Sequence, residues 1–276
     1  ADVARINAEI SSLNTAFAQN VLKATKAFRI EVTDEARLSG LAPDFKAAIK
    51  LDGEDKWILT ADRSVYETFM TQADNRDLRK QMFDGYRLRA SSGEFDNGPA
   101  LIKIAQLRAK RAELMGYRNH AEFQLAERMA RTPEAAQAFL VKVLEPGLKR
   151  AAEEKADMQE IIGDDFQLEG QDWWYYSEKV RQAKYAFDDN ALKPYFELGA
   201  VRAGAFDAAS KLFKITITPV EVEGWNPDVT SYEVTDAEAG DFLGRFMQDG
   251  YARDSKRRGA WMSTFRDASN VGGQNI

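Results

Sequence analysis

The chain has 276 residues, of which 44% are hydrophobic and 30% are charged. This composition is typical of a globular protein with one large core or two lobes, and no apolar run reaches the ~20 residues that span a bilayer. The net charge of −6 argues against a nucleic-acid partner, and the lack of cysteine excludes disulfides and thiolate metal sites. No signal peptide is visible, so we expect a cytoplasmic location, with the periplasm as an alternative.

The first part of the chain has the apolar periodicity of helices. Large apolar residues from Val3 to Val21 recur at steps of three and four, which predicts a helix over the first 24 residues. The elements predicted next, in chain order, are a strand at 28–34, a short helix capped by Thr33 or Asp34, a strand at 57–60, and helices over 63–91 and 98–115.

A long helix and then a change of period mark the second part. Thr132-Pro133-Glu134 is a strong helix start, and the Ala-, Glu- and Lys-rich stretch after it predicts a helix to Ile162. Two more helices are predicted at 172–186 and 199–213, followed by period-two strands at 215–222, 230–234, 242–247 and 260–265. We therefore expect a mainly α protein of α+β class: a helical lobe over 1–204, then a helix and a small antiparallel sheet over 205–276.

Few residues are candidates for acid–base or metal chemistry. A thermolysin-type zinc site needs the motif His-Glu-x-x-His and a third ligand, but His120 is the single histidine of the sequence. We therefore expect no zinc to be bound by this chain and interpret His120 as a structural residue near a helix start. The acidic pairs Asp164-Asp165 and Asp188-Asp189 are interpreted as solvated helix ends, because nothing around them matches a calcium loop.

Two segments are candidates for binding. Asp172-Trp-Trp-Tyr-Tyr176 could form a stacking platform for sugars or bases, but four successive aromatic residues on a helix point in all directions, so core packing is favoured. Gly259-Ala-Trp-Met262 opens a predicted strand with two small residues, which permit close approach by another backbone. Such an edge can bind an extended peptide as an added strand. A plain sheet strand with a buried Trp261 fits the pattern equally well.

Several motifs, spread nearly end to end, resemble one family of enzymes. They are Phe17-Ala-Gln-Asn-Val-Leu22, Val32-Thr-Asp-Glu35, Ala73-Asp-Asn-Arg-Asp-Leu-Arg79, Gly93-Glu-Phe-Asp-Asn97, Leu107-Arg-Ala-Lys-Arg-Ala-Glu-Leu-Met-Gly-Tyr117, Met129-Ala-Arg-Thr-Pro-Glu134, Asp172-Trp-Trp-Tyr-Tyr-Ser-Glu-Lys179, Leu192-Lys-Pro-Tyr-Phe196 and Tyr251-Ala-Arg-Asp-Ser-Lys-Arg-Arg-Gly-Ala-Trp-Met262. Together they resemble the peptidyl-dipeptidase and oligopeptidase A group of the thimet-oligopeptidase-like zinc metallopeptidases.

The resemblance implies a largely helical, two-lobed, zincin-like fold around a deep channel, with a small sheet beside the zinc-binding helix. It implies zinc-dependent cleavage of short peptides, the dipeptidyl type releasing C-terminal dipeptides. The positions Gly259, Ala260, Trp261 and Met262 correspond to the substrate-binding sheet edge of that family, and the resemblance makes this the favoured interpretation of the segment. His120 corresponds to a position outside the zinc motif.

The family's His-Glu-x-x-His helix, third ligand and substrate-clamping loop would follow the last residue of this sequence. We therefore interpret the chain as an internal fragment that is inactive alone, whose expected partners are a short peptide substrate and the missing C-terminal catalytic segment, which carries the zinc. The alternatives are a non-catalytic peptide-binding or scaffold module derived from the same fold and, more weakly, an aromatic sugar-binding helical domain.

Overall fold

The computed structural model describes residues 2–186, 192, 194–251, 253, 256 and 262–264. The chain divides into two compact units, Ala1–Phe187 and Asp188–Ile276, and each is described by itself. The first unit is almost entirely helical and the second contains an antiparallel sheet of three strands, which confirms the predicted fold class. The functional division proposed at residue 204 remains a prediction.

The first unit consists of helices and one short pair of strands. Its elements are α1 (Asp2–Ala27), β1 (Arg29–Val32), α2 (Pro43–Ile49), β2 (Trp57–Thr60), α3 (Arg63–Gln72), α4 (Arg76–Arg87), α5 (Gly98–Leu114), α6 (His120–Leu125), α7 (Pro133–Ile162) and α8 (Trp173–Tyr185). Strands β1 and β2 are antiparallel, with Arg29 opposite Thr60 and Val32 opposite Trp57.

The main core of this unit lies where the two strands meet helices α3 and α4. Leu38, Leu59, Phe69, Leu78 and Met82 are completely buried there. A smaller cluster joins α1 to α5, and a third joins α7 to α8, in which Met158 and Ile162 pack beside Leu168. The apolar periodicity of the helices therefore identifies the faces that pack, but it does not show which helices pair.

The single helix predicted over 63–91 was wrong in one respect. The chain leaves the helix at Ala73 and begins a new one at Arg76, so that two helices, α3 and α4, replace the predicted one. Asn75 is the N-cap of α4, because its side-chain oxygen accepts a hydrogen bond of 3.0 Å from the backbone N–H of Leu78. The break contains neither glycine nor proline, the residues on which the sequence-based division relied.

The second unit places one helix beside a three-stranded sheet. Its elements are α9 (Leu198–Phe213), β3 (Ile215–Val220), β4 (Thr230–Asp236) and β5 (Phe242–Gln248), with strand order β3-β4-β5 and both pairs antiparallel. Phe206 of α9 packs edge-on against Tyr232 and Phe246, with ring centroids 4.8 and 5.7 Å apart. The sheet therefore has one face covered by α9, and β3 and β5 form its edges among the described residues.

The predicted strand at 260–265 falls largely outside the described residues. Residues 260, 261 and 265 are not described, and Met262–Thr264 are not assigned to a strand. The other three strands are confirmed, and a hairpin loop that starts at Asp236 joins β4 to β5. The Asp236 carboxylate closes that loop by accepting hydrogen bonds from the backbone N–H groups of Glu238 and Ala239.

Among the described residues, no helix is both long enough and apolar enough to cross a lipid bilayer.

Candidate functional site

The candidate site lies in the second unit, at the edge of the sheet and in the chain that follows it. Strand β5 pairs with β4 on one side, with Ser231 opposite Met247 and Tyr232 opposite Phe246, and forms a sheet edge on the other. The unpaired backbone groups of an edge strand are a template for another strand. The chain leaves β5 at Gln248 and continues towards the predicted binding segment.

A charged cluster, called here the Asp249 hub, organises the first residues after β5. It consists of Asp249, Arg253, Lys256 and Trp225. Asp249 accepts two hydrogen bonds from the Arg253 guanidinium, at 2.7 and 2.6 Å, and one from the Trp225 indole N–H at 2.9 Å. The Lys256 ammonium lies 2.9 Å from the same carboxylate.

Lys256 also binds backbone carbonyl groups that follow β5. Its ammonium donates to the carbonyl oxygens of Asp249 and Tyr251, at 2.6 and 2.7 Å. The hydrogen bonds from Arg253, with those from Lys256 and Trp225, outweigh burial and hold the pKa of Asp249 well below its usual range. The carboxylate is therefore ionised at neutral pH, and this anion binds the side chains of Trp225, Arg253 and Lys256.

The sequence-based reasoning did not identify the Asp249 hub. It identified the basic turn that contains Lys256, but not the acid on which the turn folds. One local signal was available, since Asp249 and Arg253 are four residues apart with opposite charges, which favours a contact in a helical turn. The contribution of Trp225 was not predictable, because it comes from a different loop.

The predicted binding residues follow the hub directly. Gly259, Ala260 and Trp261 lie outside the described residues, so their predicted role as a substrate-binding strand stays a prediction. Met262 is described and is 92% exposed. Lys256, the last residue of the hub, thus stands three positions before Gly259 in the sequence.

A shallow cleft lies in the same unit. It has a volume of about 470 Å³ and is lined by residues 219–223 and 229–232, where β3 ends and β4 begins. Glu221 and Glu223 give it a negative charge. Ser231 lines it and is 5% exposed, and its hydroxyl has no hydrogen-bond partner in the described part of the chain.

The first unit contains a buried ionic cluster, called here the Asp172 cluster, formed by Asp172, Arg76, Arg79 and Glu169. Asp172 is fully buried and accepts hydrogen bonds from Arg76, at 2.9 and 3.0 Å, and from Arg79 at 3.0 Å. Burial alone would raise the pKa of Asp172, but the hydrogen bonds from the two arginines hold it below its usual value. The cluster ties α4 to the start of α8.

This cluster explains two of the sequence motifs as parts of one structural unit. The motif at 73–79 supplies Arg76 and Arg79, and the motif at 172–179 supplies Asp172 and Tyr175. The Tyr175 hydroxyl donates a hydrogen bond of 2.8 Å to the Asp74 carboxylate, and burial together with this bond raises the pKa of Tyr175 to about 12. The motifs therefore join helices, and no cleft for a substrate is described between them.

The aromatic segment at 172–176 serves mainly as packing. Trp173 and Tyr176 pack against the core between α7 and α8, and Tyr175 stacks beneath the Arg79 guanidinium at 4.3 Å. Trp174 is 40% exposed but meets Tyr66 edge-on at 5.7 Å. A flat stacking platform for sugars is absent from these described residues.

The structural role expected for His120 stays a prediction, and the structure shows where its ring lies. It is the first residue of α6, and its Nδ1 is buried without a hydrogen-bond partner in the described part of the chain. Burial lowers the pKa of His120, and the positive charges of Arg108 and Arg111 lower it further. Both effects favour the neutral form of the imidazole at pH 7.

The side chains present do not fit a zinc site. Within the described residues, no three His, Cys, Asp or Glu side chains are grouped so that they could hold a metal ion. The whole sequence offers one imidazole and no thiol, whereas peptidase zinc sites use two or three nitrogen ligands, usually with a carboxylate. We therefore assign no catalytic step to a metal held by these residues.

Comparison with known proteins identifies relatives over most of the chain. The profile of Peptidase family M3 matches residues 69–275. Dipeptidyl carboxypeptidase of Salmonella typhimurium is 32% identical over 277 residues, which cover 96% of this chain and 41% of the relative. Oligopeptidase A of Escherichia coli is 34% identical over 270 residues, which cover 93% of this chain and 40% of the relative.

A plant protein gives a similar match. Organellar oligopeptidase A of Arabidopsis thaliana is 35% identical over 286 residues, covering 97% of this chain and 36% of the relative. The chain thus spans about two-fifths of the length of these relatives.

Proposed function

The chain belongs to peptidase family M3, and from this premise we propose that it is a portion of a zinc-dependent peptidase that cleaves short peptides. In this proposal it contributes the wall of a substrate channel and the edge strand Gly259–Met262, along which the substrate peptide binds. It is not catalytic by itself. Peptidyl-dipeptidase activity is the mode we favour, and a cytoplasmic location, with the periplasm as the alternative, is part of the same proposal.

The observation that carries the proposal is the Asp249 hub at the end of a sheet edge. A peptide that binds by strand addition gains its affinity from main-chain hydrogen bonds, so the receiving strand has to be held in an extended and accessible conformation. The hub binds Arg253 and Lys256, which lie between β5 and Gly259 in the sequence, to the Asp249 carboxylate, with Trp225 as a third donor. Gly259 and Ala260 then permit the close approach of a second backbone.

The metal-binding side chains available in this chain support a proposal in which one part of the peptidase binds the substrate and another part holds the zinc. Zinc chemistry requires ligands that the described residues do not bring together, and M3 peptidases are zinc metallopeptidases. We therefore propose that the metal and the water it activates are held by another part of the peptidase polypeptide. The present residues orient the substrate and exclude solvent along its length.

Proline substitution in the predicted strand tests the binding role. The chain is co-expressed with the part of Escherichia coli oligopeptidase A that follows the shared region, and hydrolysis of a quenched-fluorescence peptide is measured. Proline removes a backbone N–H, and neighbouring N–H groups of a strand point to opposite sides. At least one of Gly259→Pro and Ala260→Pro should therefore raise KM about tenfold or more.

Ala260→Ser is the matched control, because it keeps the N–H and changes the side chain by one oxygen. Unchanged KM in both proline variants would sink the proposed strand. The alternative function, a non-catalytic peptide-binding module, predicts instead that the chain alone binds short peptides with micromolar affinity in calorimetry, without any help from the other segment.

A further inference from the structure

Helix α7 carries an apolar surface that nothing in the described part of the first unit covers. Every residue from 137 to 150 is exposed. Five large apolar side chains among them, which we call the α7 stripe, are exposed by between 55% and 66%: Phe139, Leu140, Val143, Leu144 and Leu148. Singly exposed apolar residues are ordinary on a protein surface, but five on three turns of one helix are not.

The stripe occupies one side of the helix. At 100° per residue, its five members fall within an arc of about 180°, which Arg150 enters at its C-terminal end, whereas Lys142, Glu145 and Lys149 fall on the opposite side. This is the pattern of a helix that buries one face. A helix exposed to water on all sides would not separate apolar and charged residues in this way.

The same side of α7 makes an interface within the first unit further along the helix. Met158 and Ile162, near the C-terminal end of α7, lie in the same arc and are buried against α8. Ser177 of α8 lies 3.3 Å from the sulfur of Met158, and Lys184, at the end of α8, reaches back only to Asp157, at 2.6 Å. Arg150, Glu154, Lys155 and Asp157 lie in this arc between the two apolar regions. The stripe is therefore a separate apolar surface, on a side of α7 that is covered at its C-terminal end and exposed over residues 137–150.

The bare surface is large enough for a specific interface. The five side chains expose on the order of 600 Å² of apolar surface, close to the ~800 Å² that one partner contributes to a standard protein–protein interface. Patches of this size at the surface of a monomer usually mark a binding surface.

We propose that the α7 stripe is the docking surface for an apolar helix face in the part of the M3 peptidase polypeptide that follows the region shared with this chain. This inference rests on the proposed function. Its support is that the relatives carry about three-fifths of their length outside the shared region, as part of the same polypeptide. A segment linked in one polypeptide is present at a millimolar effective concentration, so it outcompetes a second copy for the same surface.

The test uses two matched double variants. Leu140→Glu/Leu144→Glu places two negative charges in the stripe, and Lys142→Gln/Lys149→Gln makes the same change of −2 in charge on the opposite face. The affinity-tagged chain is co-expressed with the part of Escherichia coli oligopeptidase A that follows the shared region, and the co-purified amount is measured. Wild type and the lysine variant should retain this segment at 1:1, and the leucine variant should retain at least tenfold less.

A thermal melt of the chain alone separates loss of docking from loss of folding. Because Leu140 and Leu144 are already exposed, the leucine variant should melt at the wild-type temperature. A large drop in melting temperature would show that the stripe is covered within the chain and would overturn the inference. Equal co-purification by wild type and the leucine variant, or none by wild type, would also overturn it.

Two further outcomes separate this inference from the proposed function. A dimer of the chain alone that dissociates in the leucine variant would assign the stripe to a second copy and contradict the stated partner. A stripe-dependent complex that cleaves no peptide would sink the proposed function and leave the docking surface standing. Peptide hydrolysis that persists undiminished in the leucine variant would contradict the docking surface and leave the proposed function standing.

Discussion

Replacing Asp172 by alanine should destabilise the first unit strongly, because it leaves the buried positive charge of Arg79 without its partner. Arg79 is 1% exposed and donates to the Asp172 carboxylate at 3.0 Å, so it has no route to water when that partner is removed. Arg76 has 35% of its side chain exposed and can be solvated, so most of the cost comes from Arg79. Removing one member of a buried ion pair costs about 3–5 kcal/mol.

Urea unfolding followed by far-ultraviolet circular dichroism measures this cost. With a typical denaturant slope of about 2 kcal/mol per molar, Asp172→Ala should lower the midpoint of the transition by roughly 2 M. Glu113→Ala is the control, since it also removes one carboxylate from an ion pair, with Lys110 at 2.9 Å, but both side chains are more than half exposed. The control should change the stability by less than about 1 kcal/mol.

The double variant Arg79→Met/Asp172→Leu sharpens the test. It removes both buried charges, and replacing a buried pair by apolar residues of similar size is often nearly neutral, so it should be less destabilised than Asp172→Ala. A loss below about 1 kcal/mol for Asp172→Ala, or a double variant that is as unstable as the single one, would refute the argument that Arg79 depends on this carboxylate.

Three other predictions follow from the same contacts. Because the pKa of Asp172 is lower in the folded chain, the stability difference between wild type and Asp172→Asn should be complete above the ordinary pKa of 3.8 and shrink as the pH falls below it, as urea titrations across pH 2–6 would show. Gly85→Ala should destabilise by about 1–3 kcal/mol, since its Cβ would lie 1.8 Å from the ring of Phe28, whereas Gly147→Ala, with open space around it, should stabilise α7 by about 0.5–1 kcal/mol. Asp249→Asn should weaken the hub and speed tryptic cleavage between residues 249 and 258.

Each of these has its own control. Asp241→Asn makes the same change in the β4–β5 loop, away from the hub, and should leave the rate of cleavage after Arg253 and Lys256 unchanged. Equal acceleration in both variants would mean that the hub does not hold the turn. A pH-independent difference for Asp172→Asn would contradict the depressed pKa, and a stabilising Gly85→Ala would contradict the close packing at Phe28.

Much of the fold was predictable because its helices and strands carry local signals. The long helix α7 follows a Thr132 cap, whose side-chain oxygen accepts from the N–H of Ala135 at 3.2 Å. Strands β3 and β4 alternate in polarity as strands do when one face is buried. The break between α3 and α4 was missed because its signal is a single cap, Asn75, in a stretch that otherwise favours helix.

The parts that were not predictable depend on contacts between distant residues. Asp172 meets Arg76 and Arg79 across 96 and 93 positions of sequence, and Trp225 meets Asp249 across 24. Periodicity predicts which face of a helix or strand is apolar, but it does not predict which distant side chain pairs with a buried charge. The exposed α7 stripe was not predictable for a related reason. The sequence shows that α7 has apolar residues on one side, but it does not show whether another element covers them.

The proposal that the zinc is held elsewhere rests on one observation: the described residues do not bring together the ligands of a peptidase zinc site. The most direct test is to purify the chain alone, determine its zinc content by mass spectrometry and assay quenched-fluorescence peptides with and without a chelator. The account predicts zinc well below one equivalent and no chelator-sensitive hydrolysis, with activity appearing when the rest of an M3 polypeptide is supplied. One equivalent of zinc and chelator-sensitive turnover by the chain alone would contradict it.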